Sequence, residues 1–149
     1  MKRNFALLVG ILSLAASGIA SGAECALTVE GNDMIQFVQK ELRVSSSCKE
    51  ITVTLKHIGT LAANIMGHNW VLAKTSDYMA IAQAGQAAGA PNYLPAGDAR
   101  ILASTTVVGG GQETSVTFAT SALQKGGDYT FFCSFPGHFV LMNGKFIVE

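Results

Sequence analysis

The chain has 149 residues, of which 49% are hydrophobic and only 13% charged, with 10 basic and 10 acidic side chains in balance. No basic stripe is present, which argues against binding to nucleic acid or to anionic lipid. Met1, Lys2 and Arg3 precede an apolar run, FALLVGILSLAASGIA, that leads to the small residues Ala20, Ser21 and Gly22. That order is the pattern of a cleaved secretory signal over residues 1–22.

The apolar run is shorter than the about 20 residues of a membrane-spanning helix, and Glu24 stands where a lipoprotein signal wants a small residue before Cys25. No membrane anchor is expected. Cleavage near Gly22–Ala23 would leave residues 23–149 as one domain of about 127 residues, enough for a single core. Loss of Lys2 and Arg3 from the 10 basic residues leaves 8 against 10 acidic, a net charge of −2 with histidines neutral.

Most of the remaining chain reads as strands. Short candidates lie at Leu27–Val29 and Phe37–Val38. KEITVTLKHIG then alternates Ile51, Val53 and Leu55 on one face with Thr52, Thr54 and Lys56 on the other, the period of a half-buried strand. His57 shares the parity of Leu55 and points inward, as a hydrogen-bonded core histidine first and a pH-sensitive neighbour of any nearby metal second. Trp70–Ala73 follows, with Trp70 in the core. Between Thr75 and Asp98 an alanine-rich stretch opens with Thr75, Ser76 and Asp77 as N-cap candidates. It predicts a short helix that ends near Gly89 and Pro91 and leans on the sheets as a flap.

Strand character resumes at Ile101–Val108, and glycines at 109–111 supply a turn. ETSVTFAT turns Val116 and Phe118 inward. After glycines at 126–127, DYTFFCS places Tyr129, Phe131 and Cys133 on one side, and GKFIVE pairs Phe146 with Val148. Seven or eight short strands separated by turns predict an all-β protein, an antiparallel sandwich.

Three cysteines in an exported chain imply one disulfide and one spare thiol. Spacing alone leaves the pairing open; a Cys25–Cys48 bridge would stabilise by about 3 kcal/mol in the chain-entropy account. Around Cys133 the chemistry is denser. CSFPGHFVLM places His138 five residues after Cys133 and Met142 four beyond, while NIMGHNWVLA upstream carries Gly67 and His68. Alone, a histidine at a strand end is usually a surface or hydrogen-bonded residue, and a buried methionine or cysteine is usually packing. Together, a thiolate, two imidazoles and a weak thioether match the ligand set of blue-copper electron-transfer sites. The thiolate gives an electron-rich bond, the imidazoles complete a plane acceptable to both oxidation states, and the thioether is a soft axial donor that favours Cu(I). Gly67 has no side chain, so its carbonyl is free to approach the metal from the other axial side.

These motifs, with AEC at 23–25, GND at 31–33, MGHNW at 66–70, SVTF at 115–118 and FFCSFPGH at 131–138, resemble the azurins, a blue-copper group of the cupredoxin family. The resemblance runs through residues 23–149. It implies a Greek-key sandwich of about eight strands with a helical flap. One copper ion cycling between Cu(I) and Cu(II) would be held by His68, Cys133, His138 and Met142 with Gly67 as a weak axial carbonyl, and Cys25 would pair with Cys48. It further implies that the amides of Asn69 and Phe135 donate to the cysteine sulfur, and that the Asn69 side chain ties the two ligand loops. The expected protein is a monomeric one-electron carrier of the periplasm, meeting redox partners such as c-type cytochromes or periplasmic reductases and dehydrogenases in transient complexes. Phe139 and Val140 depart from the smaller residues usual after the second histidine.

No Asp, Glu, Lys or Arg occurs between Lys56 and Lys74, or from Tyr129 to Gly144. These two segments hold the ligand candidates. Met66, Phe135, Pro136, Gly137, Phe139 and Val140 are therefore expected to form an apolar docking patch around the edge of His138, unless they are simply buried. Four other readings compete. A Cys133–His138 nucleophilic enzyme would leave His68 and Met142 idle. A copper carrier would favour clustered methionines, whereas the five here are scattered. A structural zinc site prefers four strong donors. A metal-free sandwich with a buried thiol is the plainest. Three histidines are too few for the oxygen-reducing cluster of a multicopper oxidase.

Overall fold

The computed structural model describes residues 25–149, so the expected export signal over residues 1–22 and its expected cleavage near Gly22–Ala23 lie outside the described residues. Two sheets face each other. The first has the order β2-β1-β4-β7, built from β1 (Ala26–Asn32), β2 (Gln36–Phe37), β4 (Glu50–His57) and β7 (Glu113–Ala119). The second has the order β3-β9-β8-β5-β6, built from β3 (Glu41–Val44), β5 (Val71–Lys74), β6 (Ala103–Ser104), β8 (Tyr129–Phe132) and β9 (Asn143–Val148). A one-turn helix α1 (Ala63–Met66) precedes β5, and α2 (Tyr78–Ala88) packs outside the second sheet. The chain passes back and forth between the two sheets in a Greek-key manner.

The alternation in β4 acts as the sequence demands. Ile51, Val53 and Leu55 are fully buried and His57 nearly so. On the opposite face Thr52 shares a hydroxyl hydrogen bond with Thr117, and Thr54 with Ser115, each at 2.8 Å. These cross-strand pairs hold the β4–β7 register where no apolar contact does. Val116 and Phe118 turn toward the core but remain half-buried, because β7 is an edge strand.

Three expectations need correction. The sandwich is mixed rather than antiparallel: β1 runs parallel to β4, and β3 parallel to β9. Each parallel pair closes through a crossover between the sheets, a feature that side-chain periodicity does not encode. Ile101–Val108 is not a continuous strand. The N–H groups of Leu102, Thr105 and Val108 reach the carbonyls of Leu72, Trp70 and His68. Three residues thus pass for every two on the partner side, which bulges the segment and leaves only Ala103–Ser104 as regular ladder. Val38 is half exposed and lies just past β2, whose buried residue is Phe37.

The helix ends at Gly89, with φ of 71°, as predicted. Its start differs from the usual capped form: Asp77 occupies the N-cap position without a capping side-chain bond, and the Thr75 hydroxyl donates to Asp128 Oδ1 at 2.8 Å instead. By covering the outer face of the second sheet, α2 buries β8 on both sides. Phe132 joins Val71, Ala73, Ile81 and Ala82 in a small second core, while Phe131 and Cys133 face the main one. Trp70 fills the main core between Phe118, Phe131 and Phe146. Cys25 and Cys48 form a disulfide with Cα atoms 5.7 Å apart, pinning the start of β1 beside the entry to β4.

Leu55 has no exposed surface, so Leu55→Ala should lower stability by about 2–5 kcal/mol through lost burial and a residual cavity. Lys56→Ala, one position along on the solvent face, should stay within about 0.5 kcal/mol. Denaturant midpoints of the two variants at constant m-value check both.

Candidate metal centre

Adjacent antiparallel strands bring the two ligand motifs together. Val71 pairs with Phe132 across β5 and β8, so His68, just before β5, and Cys133, just after β8, emerge at the same end of the sheet. The Cys133 N–H donates to the Met142 carbonyl at 3.0 Å, closing the intervening loop. Inside that loop Gly137 takes φ of 79°, a left-handed conformation that favours glycine, and starts a single 3-10 turn at His138–Val140. The N–H of Met142 then donates to the His138 carbonyl at 2.7 Å.

The result is a buried cluster. Cys133 Sγ lies 3.9 Å from His68 Nδ1, 3.7 Å from His138 Nδ1 and 3.9 Å from the Gly67 carbonyl oxygen. The three ligand atoms of His68, Cys133 and His138 all fall within 4.8 Å of one another. Metal–nitrogen and metal–thiolate bonds of about 2.0–2.3 Å place donors at such separations around one ion. His68, Cys133 and Met142 have no exposed surface, and His138 keeps 4%. A soft, mixed S/N donor set in a dry pocket suits a single copper ion.

The surroundings orient His68 and tie the two ligand loops together. His68 Nε2–H donates to the Asn32 carbonyl at 2.9 Å, which turns Nδ1 toward the sulfur. Gly31 makes room for both neighbours: a β-carbon there would lie 2.9 Å from the His68 ring and 2.9 Å from the Met142 methyl. His57 stacks on His68 with ring centroids 4.2 Å apart. Its Nε2 donates to the Met66 carbonyl at 2.7 Å and its Nδ1 accepts from the Gly59 N–H at 3.1 Å, so it is a satisfied core histidine. Asn69 spans the two ligand loops: its Oδ1 accepts the Ser134 N–H at 2.8 Å and its Nδ2 donates to the Ser134 hydroxyl at 2.7 Å.

Burial pushes the Cys133 thiol up to about 12, against the opposing pull of the Asn69 and Phe135 amides that point at its sulfur. Burial also lowers His138 to about 4, with repulsion from His68 and His57 adding to it, and lowers His68.

Of the expected apolar patch, Pro136, Gly137 and Val140 are exposed, and Met66 and Phe139 are half-buried. Phe135 is a correction: it is buried, its ring set edge-on against Tyr93 at 5.1 Å. Two further apolar side chains stand out, Leu141 at 63% and Ile65 at 60% exposure. Sequence reasoning missed both, along with the roles of Gly31, Asn32 and Ser134. GND at 31–33 was the available signal for the first two, but it carries no ligand chemistry of its own.

The family model of copper-binding proteins, plastocyanin/azurin family, matches residues 23–149. The azurin of Bordetella pertussis is 54% identical over 140 residues, covering 93% of each chain. Azurin-1 of Alcaligenes xylosoxydans xylosoxydans is 55% identical over 123 residues, covering 82% of this chain and 95% of its own. A solved azurin from the methylotroph Methylomonas sp. strain J superposes with a TM-score of 0.81 at 44% identity, covering 85% of this chain and 99% of its own. The chain belongs to the plastocyanin/azurin family of copper-binding proteins, and within it to the azurins.

In the metal-free protein the depressed imidazoles make stability depend on pH. Between about 4 and 6.5 the unfolded chain binds protons that folded His138 does not, so stability rises with pH across that window. Urea midpoints of the apo-protein should fall as pH drops from 6.5 toward 4. His138→Gln should flatten the slope.

Proposed function

We propose that this protein is a soluble one-electron carrier, working as a monomer in the periplasm after removal of residues 1–22, with residues 23–149 as its single domain. His68, Cys133 and His138 would hold one copper ion, with the Met142 thioether and the Gly67 carbonyl as weaker donors beside them. The observation that carries the reading is the convergence of three buried donors from two separate loops. Bound there, copper supplies reversible Cu(II)/Cu(I) chemistry.

The protein's part is to hold still. Hydrogen bonds orient His68 and tie together the loops that carry Cys133 and His138 before the metal arrives, and burial keeps water out. Asn69 and Phe135 aim their N–H groups at the sulfur, stabilising the thiolate. The coordination set is filled by protein atoms, unlike catalytic metal sites that keep an open position for substrate. The chain therefore carries electrons and is not an enzyme. Pro136, Gly137, Phe139 and Val140 flank the nearly covered His138 in its loop, and with Met66 they form the patch that meets the apolar faces of redox partners such as c-type cytochromes, reductases or dehydrogenases. Small, transient interfaces suit that exchange.

Cu(II) added to the reduced apo-protein should give an intense blue thiolate-to-copper band that cycles reversibly with oxidant and reductant. Cys133→Ser should abolish the band; Met142→Leu should keep it and shift the potential. A colourless, correctly folded sample would refute the reading, and loss of the ion to an acceptor at each cycle would mark a copper carrier instead. At the patch, Met66→Lys and Val140→Lys should leave the visible spectrum unchanged while slowing electron exchange with a partner about tenfold or more, corresponding to roughly 1.4 kcal/mol. Exchange rates indifferent to both changes would remove the docking role.

A further inference from the structure

The flap does more than lean on the sheet. Ser134, directly after Cys133 and fully buried, is held from two sides by the segment that contains α2. Its hydroxyl donates to the Asn92 carbonyl at 2.9 Å, and its own carbonyl accepts from Gln86 Nε2 at 3.3 Å. The Asn92 carbonyl also accepts from Asn69 Nδ2 at 3.2 Å. One peptide oxygen of the flap therefore touches both ligand loops. The Asn92 side chain reaches further and accepts the Val107 N–H at 3.4 Å, next to the residue that bridges to His68.

Two features fix that oxygen in place. Gly85, inside α2, lets the returning loop come close: a β-carbon there would lie 2.0 Å from the Tyr93 carbonyl oxygen. Tyr93 itself holds φ of 50°, a left-handed conformation that side chains ordinarily avoid. Its ring packs on Phe135, whose amide points at the cysteine sulfur.

We infer that the flap is a positioning element of the metal centre: through the Asn92 carbonyl, Gln86 and the Tyr93 ring it sets the aim of the Asn69 and Phe135 amides at Cys133. The inference rests on the copper reading above and assigns that site a third supporting wall. Ser134, Gln86 and Asn92 are positioning residues, since none supplies a donor to the cluster.

Ser134→Ala, Ser134→Thr, Gly85→Ala and Gln86→Ala, each in the full chain, test it. The first readout needs no metal: amide hydrogen exchange at Asn69 and Phe135 in the apo-protein, compared with amides of β4. Ser134→Ala and Gly85→Ala should speed exchange at both amides about tenfold while β4 is unaffected, and Ser134→Thr, which keeps the hydroxyl, should restore protection. Gln86→Ala, a change at an exposed position that leaves folding intact, should speed exchange at Phe135 several-fold. In the copper-loaded protein, Ser134→Ala should lower the reduction potential and Ser134→Thr should return it. If exchange at the two amides rises only in step with β4 in every variant, the flap is a stabilising cover and the inference fails; an unmoved potential in Ser134→Ala also overturns it. A wild-type protein that stays colourless with copper would sink the copper reading alone, because the apo exchange pattern still decides the flap.

Discussion

Packing a thiol and two imidazoles side by side out of water makes every charge among them costly. With water excluded, Cys133 keeps its proton up to about pH 12 and His138 stays neutral down to about 4. Without a metal such a cage is electrically quiet at neutral pH. A metal cation reverses this balance: it is the partner that makes a buried thiolate stable, and binding it releases the thiol proton. The rest of the architecture follows from that bargain, since a site that waits for its ion must be kept open by something other than the ion.

What keeps it open is mostly backbone. The Asn32 carbonyl orients His68, the Met66 carbonyl and the Gly59 amide satisfy His57 beneath it, and the Met142 carbonyl and amide close the loop that carries His138. Asn69 and Ser134 are the side chains that knit the two loops together. Behind them stand the aromatic residues of the main core and the disulfide at the entry to β4. Donors anchored on two adjacent strands and one tight loop have little freedom to follow an ion that changes charge, which is the condition for fast electron exchange with small rearrangement.

The parts legible in the sequence were those where side-chain chemistry or period speaks directly. The alternation of β4, the glycine that stops α2, and the Cys133–His138 spacing with a distant His68, three side chains that the fold brings into one cluster, were legible because each needs particular residue types at particular intervals. The hidden parts depend on backbone atoms or on long-range pairing. Parallel alignment of β1 with β4 leaves no trace in either strand's pattern. β3 is four residues with two inward side chains, Leu42 and Val44, too brief for a period to register. The bulged path of 102–108 follows from what β5 offers it, and Gly31 matters for the methyl and ring it admits, which only the folded arrangement reveals.

The chain oxidises two of its three cysteines and spares the third, and the complete enclosure of Cys133 accounts for the difference. Thiol–disulfide exchange requires an accessible thiolate, and this sulfur is neither accessible nor ionised in the metal-free fold. Folding thereby acts as a redox filter. Once the sandwich has closed, scrambling with Cys25 or Cys48, capping by small oxidants and coupling to a second molecule are all shut off together, and the thiol is stored in usable form until its metal comes.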